Sequence, residues 1–90
     1  MFTFITIVST SDLKAAGREM VTVRSFFGDK QEKLVAKIET RALTAEQAEK
    51  QAIAKCDLTV RDGFGSIIND AELTITTIRK FAVEVERKLT

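Results

Sequence analysis

Asp57, Asp62, Asp70 and Glu72 place four carboxylates within sixteen residues, around the glycines of Asp62-Gly63-Phe64-Gly65. Oxygen ligands crowded into a loop are the raw material of a divalent-cation site, and a metal-dependent enzyme is one function they would serve. Their spacing is not that of an EF-hand loop, because the alternate acids and the closing Glu are missing. Turn-forming and helix-capping carboxylates account for the same residues more simply. Cys56 is the one thiol. It falls where a helix should end rather than start, so no helix dipole lowers its pKa, and it reads as a small buried apolar residue. The chain has no histidine, which removes Ser-His-Asp and Cys-His nucleophile systems. One thiol and no imidazole cannot make a four-ligand zinc site. No GxxxxGK[ST] or GxGxxG phosphate loop is present. The sequence therefore assigns no catalytic residue, metal or cofactor, and the chain reads as non-enzymatic.

Binding chemistry remains. Phe64 between two glycines is an aromatic on a permissive backbone, either a partner-contacting tip or a side chain folded back onto the core. Arg24, Lys37 and Arg41 fall on polar positions of alternating segments, and they are the candidates for contact with an external partner. A basic sheet face of this kind is compatible with nucleic acid, the alternative function. Phe2 and Phe4, two apart on a strand, have the spacing of base-stacking aromatics, but core packing is the stronger reading, since no basic residue lies beside them in sequence. The formal charge is +1, from 14 basic and 13 acidic residues. Residues 13–41 carry seven bases and four acids, residues 44–72 three and six, and residues 73–90 four and two. Glu32 and Glu39 interrupt the basic run, as the polar face of half-buried strands would.

The elements that must position these residues are legible in outline. Segment 2–10 is rich in Phe, Thr, Ile and Val and reads as a strand. The stretch 11–17 is a capped turn ended by Gly17 or a long loop. Segment 19–27 alternates, with Val21, Val23 and Phe27 against Met20, Thr22, Arg24 and Phe26, and Gly28-Asp29-Lys30 follows as a turn signal. Segment 32–41 alternates Leu34, Ala36 and Ile38 against Lys33, Val35, Lys37, Glu39 and Arg41. Three such strands with short connections form an antiparallel meander. Residues 44–56 are the clearest helix. Thr44 and Gln47 have capping-box spacing, Leu43 is placed to staple onto Ala48, and Ala45, Ala48, Ala52 and Cys56 make a small-residue face beside Ile53. Residues 58–70 form a small hairpin or irregular corner, with Asp62–Gly65 as its turn. Residues 73–90 are β-rich, best read as a long strand, with a helix at 78–89 as the alternative. The class is α+β and residues 1–90 are a single domain.

The first strand poses one question. Phe2, Phe4, Thr6 and Val8 point one way and Thr3, Ile5, Ile7 and Ser9 the other, and both sides are mostly apolar. One helix covers one side. Leu73–Val85 folded back as a second layer, or a second copy of the chain, would cover the other. Phe2, Phe4, Ile5 and Ile7 are thus the residues of core or self-association. The reading is a small protein-binding regulator, adaptor or inhibitor acting as a homodimer, with itself and an unidentified protein as partners and no membrane span. Its apolar start lacks the basic residues of a secretory signal, and a lone cysteine suits a reducing compartment. The expected setting is cytoplasmic, in the manner of an accessory protein of a bacterium or its virus.

Overall fold

The computed structural model describes every residue except Arg18 and 81–90. Its elements are β1 (Phe2–Thr10), β2 (Met20–Ser25), β3 (Gly28–Ala42), α1 (Ala45–Lys55) and β4 (Leu73–Arg79). As the sequence implies, three antiparallel strands precede one helix and a β-rich segment follows it, in an α+β arrangement. The lateral order is β2-β3-β1-β4. It is therefore not sequential: β1 lies between β3 and β4, and only β2 and β3 make a consecutive hairpin. A strand dense in β-branched and apolar residues takes the position with neighbours on both edges.

Because β1 and β2 are not neighbours, residues 11–19 form a crossing connection. Asp12 Oδ1 accepts a hydrogen bond from the Lys14 N–H at 2.9 Å. Lys33 Nζ donates to the carbonyls of Leu13 and Ala15, and the Ala16 N–H donates to the Arg61 carbonyl. Those bonds tie the connection to the long hairpin strand and to the corner after the helix.

Alternation decides which side of β1 is closed. Phe4, Thr6, Val8 and Thr10 are buried, whereas Thr3, Ile5 and Ile7 are half-buried. The first set lies under α1, where Phe4, Ala42 and Ala48 cluster and Ala52 is also fully buried. Alanine at these helix positions lets the helix backbone approach the sheet closely. Polar side chains complete this layer. The Thr6 and Thr77 hydroxyls are 2.9 Å apart and Thr77 Oγ1 donates to Glu49 Oε2 at 3.3 Å, so a hydroxyl chain links β1, β4 and the helix.

The helix begins as its sequence says. The Gln47 N–H donates to Thr44 Oγ1 at 3.2 Å. The returning bond reaches one residue further than a standard capping box: Gln47 Oε1 accepts from the Leu43 N–H at 3.3 Å. Leu43 itself is exposed, so the staple onto Ala48 is not made. Cys56 is the C-cap and half-buried rather than buried.

Two further expectations change. Leu73–Arg79 is not a second layer; it pairs edge to edge with β1, from Phe4↔Arg79 to Thr10↔Leu73. Main-chain hydrogen bonds to a central strand outweigh stacking on its face. The remainder of that segment, including Phe81, Val83 and Val85, lies outside the described residues; of the alternative helix at 78–89, Ile78 and Arg79 are strand. Second, the alternation of Leu34, Ala36 and Ile38 is broken. The β1–β3 register passes from Val8↔Ala36 to Ser9↔Leu34, leaving Val35 as an extra residue. Such a bulge bends its strand and swaps the faces beyond it, so Leu34 sides with Ser9 rather than with Ile38.

Candidate functional site

The side of the sheet away from the helix is built from the second set of β1 residues. Ile5 pairs with Ile78 on β4 and Glu39 on β3; Ile7 pairs with Thr76 and Lys37. Nothing from the helix reaches them, because α1 has closed the opposite face. β1 ends at Thr10↔Lys33, while β2 pairs with β3 from Met20↔Lys33 to Ser25↔Gly28. Residues 20–33 therefore continue as a two-stranded ribbon with no third strand among the described residues. Beyond the bulge, Val21 and Val23 share a face with Glu32 and Lys30, the same side as Ser9. The ribbon leans over the open face, and Ile7, Ser9, Thr76 and Ile78 meet residues Val21 to Arg24 across a groove of about 270 Å³. At its side Glu32 is buried, and its Oε1 accepts a hydrogen bond from Ser9 Oγ at 2.8 Å.

The ribbon ends in a feature that alternation alone misplaces. Phe26 and Phe27 are the two loop residues of the hairpin, not strand residues on opposite faces, and the turn falls before Gly28 rather than on it. Among the described residues no non-glycine has positive φ, while Gly28 has φ 118°, so the glycine supplies the positive-φ residue at the end of this turn. The Ser25 hydroxyl donates to the Gly28 carbonyl and accepts from the Phe27 N–H at 3.3 Å, which closes the loop. The two rings stack edge to face, centroids 5.5 Å apart, and are 98% and 92% exposed. The signal that would have found them is the string Phe-Phe-Gly with Ser before it.

Phe64 has the tip position, at 98% exposure. Asp62 builds the loop beneath it. Asp62 Oδ1 accepts from the N–H groups of Phe64 and Ser66 at 2.8 and 3.0 Å, and Arg61 donates to the Gly65 carbonyl. Of the small hairpin or irregular corner expected here, the structure has the corner, held by single bridges, Arg61↔Ile67 and Ala15↔Asp62. Asp57 likewise accepts from the Thr59 N–H at 2.9 Å. Hydrogen bonds from the Thr59 side chain and then its backbone hold the Asp57 carboxyl below its ordinary value. These two acids thus do turn work, and among the described residues no three His, Cys, Asp or Glu side chains gather as a metal site.

Lys37 and Arg41 are exposed on the open side of β3, with Glu39 between them. Glu39 pairs with Lys80 at 3.1 Å. Arg24 stands opposite Asp29 on the ribbon and is part of the groove wall with Val21 and Val23, whereas Lys37 and Arg41 are not among the lining residues. Of the four self-association candidates, Phe4 is in the core at 5% exposure and no longer has a ring face to offer. The Arg79 guanidinium covers the Phe2 ring at 3.7 Å. Ile5 and Ile7 are on the open side. No helix among the described residues is long and apolar enough to cross a membrane. No protein family, curated protein or solved structure matches this chain.

Proposed function

We propose that this protein is a small non-enzymatic binding protein that acts through protein–protein contacts, as a homodimer. The observation that supports it is an apolar surface that no described residue covers: the half-buried Ile5 and Ile7, and the phenylalanines at the ends of the ribbon and of the post-helix corner. Exposed aromatics on rigid turns are the usual anchors of protein interfaces, and an apolar face of this kind is seldom left to water. Phe64 serves the external partner in this reading, from a loop that Asp62 holds in shape. Lys37 and Arg41 flank the same open face as polar rim. The nucleic-acid alternative has thinner support, since Glu39 sits between Lys37 and Arg41 and pairs with Lys80.

Light scattering after size exclusion tests the reading. The wild-type chain should run at twice its chain mass at micromolar concentration. Ile5→Lys should reduce that to one chain while keeping a cooperative melt, because Lys beside Glu39 retains a solvated partner. An unchanged mass for Ile5→Lys would count against the open face, and a wild-type chain that stays single at every concentration would end the homodimer reading.

A further inference from the structure

We infer that the Phe26–Phe27 tip of one chain docks into the groove of a second copy, each ribbon embracing the other about a two-fold axis. The inference rests on the homodimer reading above and adds the surface that makes it.

Knob and hole sit on the same chain and on the same ribbon. The tip is Phe26 and Phe27; the groove wall starts two to five residues earlier, at Val21 to Arg24, and is completed by Ile7, Thr76 and Ile78. A tip cannot fold into its own groove, because the residues that make the turn also make the wall beside it. A second copy brings the missing ring to each groove at once, which is the self-complementary arrangement a two-fold interface requires.

Size agrees. A cavity of roughly 150 Å³ holds a benzene ring, so a groove of about 270 Å³ takes one phenylalanine ring with its edge-stacked neighbour against the rim. Area agrees too. Covering the two rings on each chain removes roughly 600–1,000 Å² of surface. The groove walls they cover add less, which brings the total to roughly 1,000 Å², the lower bound for a specific interface. Chemistry also fits: Ile7, Val21, Val23 and Ile78 give the ring apolar walls, and the one buried carboxylate beside them, on Glu32, is already engaged by Ser9.

The test uses the full chain, its oligomeric mass and a site-specific crosslink. Phe26→Ala with Phe27→Ala removes the knob. Thr76→Phe, at an exposed strand position, fills the hole from within. Each should raise the dimer Kd by roughly a hundredfold or more, the scale of losing an aromatic hot spot, with the melting curve of the single chain unchanged. p-Benzoylphenylalanine at position 27 should crosslink to peptides of a second chain that contain Val21–Arg24 or Thr76–Ile78. A dimer that survives both variants, or crosslinks that fall elsewhere on the second chain, overturns the docking and leaves self-association standing. A wild-type chain that is single at all concentrations overturns both.

Discussion

The two faces of β1 are made by neighbouring residues of one strand, yet they meet different environments. On one, Phe4, Thr6, Val8 and Thr10 are buried, and there Phe4 meets Ala48 of a helix that also buries Ala52. On the other, Ile5 and Ile7 carry larger apolar side chains than Thr6 and Thr10 and are only half-buried. The greasier positions are therefore not the better buried ones. What closes a face is the size of what approaches it: alanines bring a helix backbone close enough to bury even hydroxyls, of which those of Thr6 and Thr77 find partners in each other and in Glu49, while that of Thr40, opposite Phe4, is buried without one. The open face has only the leaning ribbon, and a groove remains.

The comparison breaks most easily at Phe4. Phe4→Ala should cost about 3–5 kcal/mol, a large share of the roughly 5–13 kcal/mol expected for a chain this long. Ile7→Ala, measured on the single chain, should cost about 1 kcal/mol, because its site is already part water. Urea denaturation of both variants decides it, and equal losses would mean the faces are not different in kind. Next in size is the helix that makes the closed face. Thr44→Ala should cost about 1 kcal/mol by removing the cap on the Gln47 N–H, and Thr44→Ser should restore most of it. A thermal melt that does not move for Thr44→Ala would show that the sheet, not the cap, holds the helix start.

The smallest effect lies at Asp57, outside both faces. Its carboxyl is depressed below the ordinary 3.8 by the Thr59 hydrogen bonds. A depressed carboxyl stabilises the fold above its unfolded value and loses that contribution as pH falls through the folded one. The side-chain carbon shift of Asp57 should accordingly titrate below 3.8, and Thr59→Ala should bring the midpoint up. A midpoint at or above the ordinary value in the wild-type chain would contradict the turn hydrogen bonds.

Much of the closed face was legible in advance. Thr44 and Gln47 announce the helix, Ala48 and Ala52 of the expected small-residue face are the side it buries while Ala45 is exposed, and Phe4 reads as core. The open face was legible only as a problem. Its solution depends on one extra residue, Val35, whose insertion into the pairing moves Leu34 across the sheet and bends the strand, and no alternation pattern marks which residue of Leu34-Val35-Ala36 will be left unpaired. Phe26 and Phe27 were assigned to opposite faces of a strand for the same reason: a period of two continues through a turn as readily as along a strand, until pairing shows where the chain reverses.

The sequence by itself determined what depends on a few adjacent residues. That covers the strand-rich start, the capped helix of residues 45–55, and the turn at Asp62–Gly65, though not the exposure of Phe64 on it. These are set by side-chain hydrogen bonds and backbone preferences that reach no further than about four positions. Only the tertiary structure decided that β1 lies between β3 and β4, that Leu73–Arg79 joins the sheet instead of covering it, and that a ribbon carries Phe26 and Phe27 out beyond the last pair of β1. Strand order and register are competitions among distant segments for the same main-chain hydrogen bonds, and the winner depends on all of them at once.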